Sequence, residues 1–229
     1  MPELLTREPQ QTSAFRALIS DQLAATYCHR RFEGSRRMHK LNRCEMGFAR
    51  RLMDMVGPQA SILDAPCGSG RFFEVFSPAR RYVMLDFDPA MLKVIQDTHG
   101  QKCLLELVQG DVTDLPFPAD TFDLVFNMRL LQHVGDDAIR RRILMELARV
   151  SRRYVALSIY STCTWRHFKR AVRGKPSAGY AVPLRHFVAM AAQIGLRLRR
   201  KAPTVSLIEQ QRMLLFEKVT AARGPDSKE

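Results

Sequence analysis

Long apolar runs are missing from this 229-residue chain. No stretch approaches the length of a membrane-spanning helix, and the N-terminus has no apolar segment of the kind found in signal peptides. Paired cysteines are missing too, since the five cysteines are widely spread and none stands in a C-x-x-C motif. This pattern fits neither a disulfide framework nor a zinc site. We therefore expect a cytoplasmic protein with no bound metal.

Acidic residues become scarce after residue 150. Residues 151–229 hold 16 lysines and arginines against 4 acids, whereas residues 57–150 hold 10 against 13. The net charge of +13 is thus concentrated in the C-terminal third of the chain. Such an excess attracts anionic partners, whether nucleic acid, a lipid head group or a phosphorylated sugar. It is also compatible with a position at an anionic membrane surface.

The strongest local pattern lies in Ser61–Phe73. A short apolar run ends at Asp64, a loop with Gly68 and Gly70 follows, and apolar residues return directly afterwards. This order predicts a buried strand, a glycine loop and a helix over residues 70–77. Glycines let backbone N–H groups approach a ligand closely, and a helix N-terminus favours negative charge. The pattern therefore predicts a nucleotide-like ligand.

Two cofactor classes use this kind of loop. A dinucleotide fingerprint, G-x-G-x-x-G, needs a third glycine at the position where this chain has the bulky Phe73, which weakens the case for nicotinamide. A second predicted strand ends at Asp86, and an acid at that tip can bind the two hydroxyls of a ribose in either class. The choice between the classes depends on the segments that follow.

The loop resembles the first motif of class I S-adenosylmethionine-dependent methyltransferases, an apolar strand and an acid before a loop close to G-C-G-T-G. It differs at Pro66, which has no N–H to donate to the cofactor. Residues 107–117 resemble the G-D-x-x-x-L-P-F segment of small methyltransferases, residues 121–127 the F-D-x-V signature, and residues 130–134 the L-H-H-V segment. Four motifs in the right order identify the chain as a member of this family.

The resemblance implies that S-adenosylmethionine binds at the strand tips. Asp86 would hold the ribose hydroxyls, and Asp111 would face the adenine amine. The expected cofactor-binding residues are Asp64, Ala65, Cys67, Gly68, Gly70, Asp86, Phe87, Asp111, Val112 and Asn127. One of four arginines could meet the methionine carboxylate, although no pattern selects among Arg30, Arg31, Arg36 and Arg37.

Strand and helix patterns alternate between residues 61 and 160, which predicts a parallel sheet with helices on both faces. The expected strands are 61–65, 82–86, 103–109, 123–128 and 154–160, and the expected helices are 70–77, 89–98 and 136–150. A further helix over 184–194 precedes two strands, 196–206 and 212–219. The resemblance implies an α/β, Rossmann-like, doubly wound and mostly parallel seven-stranded sheet, with these two strands at its antiparallel end.

The expected organisation has three parts. Helical patterns over 12–32 and 35–56 predict an N-terminal helical cap over residues 1–57. The methyltransferase domain covers 58–220, with a polar stretch at 161–183 as an expected lid insertion over the acceptor. Residues 221–229 form a flexible tail.

His133 is the best candidate for a general base. The unperturbed pKa of a histidine lies near neutrality, and this residue follows the predicted fourth strand tip. A hydroxyl acceptor benefits from proton removal, whereas an amine or activated carbon needs little help. His167 and Tyr180 are second choices because they lie in the expected lid, where Trp165 could stack on the acceptor.

Three functions fit these observations. The first is a methyltransferase for a small or lipid-linked, anionic acceptor, favoured by the L-P-F segment, which resembles that of quinone-biosynthesis enzymes. The second is an RNA methyltransferase, favoured by the C-terminal charge but lacking an N-P-P-Y motif or a separate RNA-binding module. The third is a non-catalytic protein that keeps the cofactor fold as an interaction platform.

Overall fold

A computed structural model of the protein describes residues 36–100, 106–162, 179–203 and 211–219, without the side chains of Arg37 and Pro203. Several expectations lie outside these residues. They are the helix over 12–32, residues 163–178 of the expected lid, the tail 221–229, and the candidates Arg30, Arg31, His167 and Trp165.

Helices and strands follow one another in the predicted order. The helices are α1 (Arg36–Val56), α2 (Phe73–Phe76), α3 (Pro89–His99), α4 (Asp137–Val150) and α5 (Leu184–Gln193), with a 3-10 turn at Leu131–His133. The strands are β1 (Ser61–Asp64), β2 (Arg81–Asp86), β3 (Glu106–Gln109), β4 (Phe122–Asn127), β5 (Ser151–Ser161), β6 (Ala181–Val182), β7 (Leu196–Pro203) and β8 (Gln211–Lys218). The predicted helix over 70–77 is thus one turn long, and β5 is longer at both ends than expected.

The strands form a single sheet in the order β3-β2-β1-β4-β5-β8-β7. The strands from β3 to β5 in this order are parallel, β8 runs antiparallel to β5, and β7 runs antiparallel to β8. The expected α/β fold with a mostly parallel, doubly wound sheet is confirmed. The two-residue β6 pairs in parallel with the end of β5 and adds an eighth strand to the seven expected.

Successive residues of each central strand pack on opposite faces of the sheet, because side chains alternate along a strand. One face is covered by α4 and α5, and its buried residues include Leu63, Val83, Val125, Leu144, Leu147, Phe187 and Phe216. The other is covered by α1, α2 and α3, and includes Phe48, Leu52, Ile62, Phe76, Met84, Ile95 and Phe126. Burial on both faces keeps the parallel strands in one register, which aligns their carboxyl ends.

The helix starts follow their capping residues. Asp88 precedes α3 and accepts a hydrogen bond from the Ala90 N–H at 2.9 Å, with Pro89 at the first helical position, as the sequence predicts. Asp136 caps α4 in the same way through the Ala138 N–H. Both caps lie at the carboxyl edge of the sheet, where they set the directions of the helices that leave it.

The arginine run Arg140–Arg142 of α4 is predicted by the helical pattern to be plain surface, and this is wrong for its first residue. Arg140 is only 5% exposed and forms an ion pair with Asp137, one turn earlier on the same helix. Arg141 and Arg142 are exposed as expected. Arg141 reaches Gln193 of α5, and Arg142 donates from Nε to the carbonyl of Thr113 at 2.9 Å.

The basic strand β7 does not present one continuous face. Strand alternation predicts that Arg197, Arg199 and Lys201 project to the same side, but the pairing with β8 shifts between Leu198 and Arg200. After this bulge Lys201 pairs with Leu214 and so lies on the opposite face from Arg197, which pairs with Glu217. The shared face is therefore wrong for Lys201.

The ends of the expected lid belong to the sheet. Ser161 is the last residue of β5, and Val182 of β6 pairs with it and is buried. Tyr180 donates its N–H to the carbonyl of Gln132 at 2.8 Å, so the segment rejoins the fold beside the 3-10 turn. Among the described residues, no helix is both long and apolar enough to cross a membrane.

Candidate cofactor and acceptor site

The carboxyl ends of four adjacent parallel strands form the site. Asp64 ends β1, Asp86 ends β2, Asn127 ends β4, and Asp111 follows β3 by two residues. The strand order reverses between β1 and β4, and ligands of such sheets bind beyond the strand ends at this point. Backbone hydrogen bonds join neighbouring tips, from the Ala65 N–H to the Phe126 carbonyl and from the Gly110 N–H to the Asp86 carbonyl.

Two glycines shape the loop after β1. Gly68 has a φ of 55° and Gly70 a φ of 74°, both in the left-handed region that side chains disfavour. A Cβ on Gly70 would approach Ile95 of α3 to 2.9 Å, so this glycine allows the loop to pack on the helix. A Cβ on Gly68 would meet nothing within 4 Å, which leaves open space beside the loop. The backbone at Gly68 can therefore be approached closely by a ligand.

Asp86 holds the glycine loop and the next helix together. Its Oδ2 accepts from the Gly68 N–H at 2.8 Å, and its Oδ1 accepts from the Asp88 N–H at 3.0 Å. Burial raises the pKa of this carboxyl, although the backbone donors oppose that rise. A carboxylate oxygen can accept more than one hydrogen bond, so Asp86 keeps acceptor capacity for a ligand.

Asp64 and Asn127 end the neighbouring strands β1 and β4, and each has a buried oxygen without a described donor. Both side chains are 0% exposed, and no donor among the described residues reaches Asp64 Oδ1 or Asn127 Oδ1. Their other polar atoms are satisfied, Asp64 Oδ2 by the Tyr82 hydroxyl at 3.0 Å and Asn127 Nδ2 by the Ala65 carbonyl at 2.6 Å. Buried acceptors without donors are costly and rare. A ligand that brings hydrogen-bond donors, as the amino-acid end of S-adenosylmethionine does, would satisfy such an acceptor.

Cys67 is a buried residue of the glycine loop. Its thiol is buried, and burial together with Asp64 and Asp86 raises its pKa well above the ordinary value. Its N–H donates to the Leu85 carbonyl at 2.9 Å, which fastens the loop to β2. The described residues contain no group of three or more metal-ligating acids, histidines or cysteines.

The loop after β3 forms the neighbouring wall. Asp111 is half-buried, and its Oδ1 accepts from the Thr113 N–H at 2.8 Å, whereas Val112 is buried. Phe87, directly after Asp86, is 42% exposed, and its carbonyl accepts from Gln109 Nε2. A partly exposed ring thus stands between the second and third strand tips.

Side chains of α4 hold the backbone of that loop, a role that the sequence does not reveal. Glu146 accepts from the Leu115 N–H at 2.8 Å, and Arg149 donates to the carbonyls of Leu115 and Phe117 at 2.9 and 2.7 Å. The two side chains also pair with each other at 2.6 Å. Such i,i+3 pairs are common on helix surfaces, so no signal in the sequence marks this one as special.

Helix α1 crosses the carboxyl edge and is anchored there by a buried glutamate. Glu45 is 0% exposed and contacts Arg71 of the glycine loop at 2.7 Å and Arg129 after β4 at 2.9 Å. Its Oε1 also accepts from Gln211 Nε2, at the start of β8, at 2.6 Å. Burial raises the pKa of Glu45, but the two guanidinium groups outweigh this and hold it below the ordinary range.

The sequence reasoning missed this cluster, which we call the Glu45 cluster (Glu45, Arg71, Arg129 and Gln211). One signal was available, because Glu45 interrupts an apolar stripe at helical spacing between Leu41 and Phe48. Of the arginines expected at the site, Arg36 is exposed and far less enclosed than Arg71 or Arg129. Arg71 and Arg129, which follow β1 and β4, bring positive charge to the described strand tips.

His133 lies in the 3-10 turn that follows β4. It is half-buried, and its Nε2 lies 3.4 Å from Nε2 of Gln132, which is itself 1% exposed. Tyr180 covers this turn, since a Cβ on Gly135 would come within 3.0 Å of its ring. The structure therefore brings His133 and Tyr180, two candidates from the sequence, to one side of the β4 tip.

Comparisons with known proteins agree with this architecture. Residues 62–153 match the methyltransferase domain family. The chain is 34% identical over 154 residues to an Encephalitozoon cuniculi protein whose name assigns it to the methyltransferases, covering 65% of this chain and 70% of that protein. It is 28% identical over 92 residues to a Mycobacterium tuberculosis protein named as an S-adenosylmethionine-dependent methyltransferase, 40% of this chain and 31% of that protein.

A third relative is a ubiquinone/menaquinone biosynthesis C-methyltransferase of Ectopseudomonas oleovorans, 36% identical over 89 residues, 34% of this chain and 52% of that protein. The chain thus spans only about a third to a half of the second and third relatives. The fold matches magnesium protoporphyrin IX methyltransferase from Synechocystis PCC 6803 with bound SAH, with a TM-score of 0.72 at 15% identity, over 89% of this chain and 99% of that one. From its strand-tip site and its relatives, this chain belongs to the S-adenosylmethionine-dependent methyltransferases.

Proposed function

We propose that this methyltransferase acts on a small or lipid-linked, anionic acceptor. The observation that supports this most directly is the attachment of α1 to the carboxyl edge. Through the Glu45 cluster the helix contacts the glycine loop, the β4 tip and the start of β8 at the same time. A strand-tip site bounded by a helix on this side suits a small molecule or the reactive end of a lipid better than a folded RNA, which needs an open surface.

The residues at the second and third strand tips would hold the nucleoside part of the cofactor. Asp86 would accept from the ribose hydroxyls, since its oxygens retain acceptor capacity beside their backbone donors. Asp111 would face the adenine amine, with Phe87 and Val112 offering apolar contact to the ring.

The first and fourth tips would hold the amino-acid end. Gly68 and Gly70 allow close backbone approach, and Asp64 and Asn127 would each offer a buried oxygen that no described residue donates to. Ala65 and Cys67 complete the loop around them.

Arg71, rather than an arginine of the N-terminal segment, is our candidate for the methionine carboxylate because it extends from this loop. When bound, the cofactor supplies an electrophilic methyl group on a sulfonium.

His133 would act on the acceptor side as the general base. The 3.4 Å approach of Gln132 favours one orientation of the imidazole, and the half-buried ring stays accessible to a ligand. For a hydroxyl acceptor, the imidazole of His133 would take the proton that the hydroxyl loses. Tyr180 is the second candidate, since it lies on the same turn.

Charge favours an anionic acceptor. Arg129 after β4 and Arg212 near the start of β8 lie at the edge where the acceptor would approach, and Arg212 is 9% exposed. Residues 151–229 add 16 basic residues against 4 acids. Part of this excess is not available at the site, because Arg197 and Arg199 pair with Glu217 towards the opposite end of the sheet.

Transfer of labelled methyl tests the acceptor class. We would incubate the protein with methyl-labelled cofactor and cell extract, and then separate lipid, small-molecule and nucleic-acid pools. Label is expected in the lipid or small-molecule pool, and it should be much lower in a parallel reaction with the Asp86→Ala variant at limiting cofactor. Label in RNA would overturn the proposal, and label in no pool would favour the interaction-platform hypothesis.

Binding to anionic surfaces gives a second test of the acceptor class. The protein would be mixed with anionic vesicles and with bulk RNA at the same ionic strength, since both interactions weaken with salt. Preference for vesicles supports a lipid-linked acceptor at a membrane surface, whereas preference for RNA supports the alternative. Binding to neither at physiological salt favours a small acceptor free in solution.

A further inference from the structure

Asp64 is a carboxyl group with too few partners for a buried carboxylate. It ends β1 and is 0% exposed, and its one described hydrogen bond comes from the Tyr82 hydroxyl to Oδ2 at 3.0 Å. Oδ1 receives no hydrogen bond from any residue that the structure describes. A buried carboxylate ordinarily has several donors or a cation, because removing its charge from water is expensive.

The charged and titratable groups around Asp64 do not supply that cation. From β2, Tyr82 donates one hydrogen bond and Asp86 adds a second acid, while from the glycine loop Cys67 presents a neutral thiol. Arg71 also faces Asp64 from the loop, but its Nη1 lies 2.7 Å from Glu45 of α1. Asn127 of β4 is neutral. Burial is the largest influence and raises the pKa of Asp64 to about 8.

We propose that Asp64 carries a proton in the cofactor-free protein and releases it to solvent when the amino-acid end of the cofactor binds. The inference rests on the proposed placement of that end beside Asp64 and Asn127. Only one bond breaks, the O–H bond of the Asp64 carboxyl. The ammonium group of the cofactor keeps its own protons and becomes the counter-charge that the fold does not provide. Asp64 is thus a positioning and specificity residue for ligands that carry this ammonium group.

A ligand without an amino acid should bind without releasing this proton. S-adenosylhomocysteine has the ammonium group and needs no acceptor, whereas 5′-methylthioadenosine keeps the nucleoside and lacks the amino acid. Since one proton leaves on binding, the affinity for S-adenosylhomocysteine should rise about tenfold per pH unit below pH 8 and level off above it. The affinity for 5′-methylthioadenosine should change much less over the same range.

Calorimetry counts the proton directly. At pH 7 we would titrate each probe in two buffers of different ionisation enthalpy, because the difference in measured heat reports the protons released. About one proton is expected for S-adenosylhomocysteine and none for 5′-methylthioadenosine. Equal release by the two probes, or no release with S-adenosylhomocysteine, would overturn the inference while leaving cofactor binding intact. Failure of S-adenosylhomocysteine to bind would overturn the placement of the cofactor and this inference with it.

Three variants assign the proton to a residue. Asp64→Asn should release no proton and show a flat pH profile, whereas Asp86→Asn should bind more weakly and still release one. Tyr82→Phe removes the only described hydrogen-bond donor to Asp64, which should raise the pKa of Asp64. The affinity for S-adenosylhomocysteine should therefore level off at a higher pH than in wild type. Release that persists in Asp64→Asn and disappears in Asp86→Asn would assign the proton to Asp86, which refutes the inference.

Discussion

Two acids, Glu45 and Asp64, are both fully buried at the carboxyl edge, yet they titrate in opposite directions. Two guanidinium groups surround Glu45 and hold its pKa below the ordinary range despite burial. Burial is the largest influence on Asp64 and raises its pKa to about 8, because the Tyr82 hydroxyl and the charge of Arg71, which is shared with Glu45, oppose it only in part. The comparison shows that burial alone does not fix the charge of a group. The cations that other elements bring to it decide whether it is ionised.

This difference gives the two residues opposite effects on stability as pH changes. Glu45 stabilises the fold above the ordinary glutamate pKa, and that contribution is lost as pH falls through its lowered value. The neutral form of Asp64 is compatible with burial at low pH. Its contribution is lost as pH rises from about 4, where the unfolded chain ionises, to about 8. We infer that α1 is fastened by an ion cluster, whereas the β1 tip is left short of a cation for binding.

Removing the charge of Glu45 should have the largest effect. Glu45→Gln leaves Arg71 and Arg129 without their shared carboxylate, and breaking a buried pair costs about 3–5 kcal/mol. Denaturant unfolding at pH 7 measures this loss. A loss below about 1 kcal/mol would mean that the cluster does not fasten α1 to the site.

Truncating Asp86 should weaken cofactor binding by about 10- to 100-fold. The ribose hydroxyls would lose their acceptor, which costs a few kcal/mol of binding free energy at most. Calorimetry with S-adenosylhomocysteine on folded Asp86→Ala protein measures it, with the exposed Asp97→Asn as the control. Unchanged affinity would mean that Asp86 does not bind the ribose. Asp86 would then be a buried acid with a structural role, as Glu45 is.

Asp64→Asn should stabilise the cofactor-free protein at pH 8 relative to wild type. Because asparagine does not titrate, the variant avoids the loss that wild type suffers as pH rises, ideally about 1.4 kcal/mol per pH unit. Melting temperatures at pH 5 and pH 8 measure the difference between the two proteins, which should be larger at pH 8. The same difference in melting temperature at pH 5 and pH 8 would show that Asp64 is not protonated in the folded state.

An exposed glutamate–arginine pair should give the smallest loss of stability among the acids compared. Glu106 pairs with Arg81 at 2.8 Å, but both side chains are 40–45% exposed. Glu106→Gln should therefore cost less than about 1 kcal/mol, since exposed ion pairs contribute little. The same unfolding assay as for Glu45→Gln measures it. Equal losses in the two variants would contradict the role of burial.

The cofactor half of the molecule was predictable because its signals are local. The glycine loop, the cap at Asp88 and the acids that end β1 and β2 follow from short patterns, and the structure has all of them. Strand alternation was equally informative for β4, whose residues pack in turn on the two faces. The roles of these residues toward the cofactor stay predictions, which the binding experiments test.

Contacts between distant segments were not predictable. Glu45 and Gln211 are 166 positions apart in the chain, and only folding of the sheet brings β8 under α1. The helical pattern predicts Arg140 of α4 as surface, but this residue is buried, because a helical pattern contains no information about the segments that pack on each side of a helix. The bulge in β7 moved Lys201 to the other face, since one extra residue reverses the alternation after it.

The sequence by itself determined the order of the elements, the family and the strand tips at which the site forms. These depend on apolar periodicity, glycines and capping residues within a few positions of one another. The tertiary structure alone decided which acids are charged, because the state of a carboxyl depends on the cations and donors that other segments bring to it. Glu45 has two arginines from distant loops as partners, whereas the described residues give Asp64 a single hydrogen bond, from the Tyr82 hydroxyl.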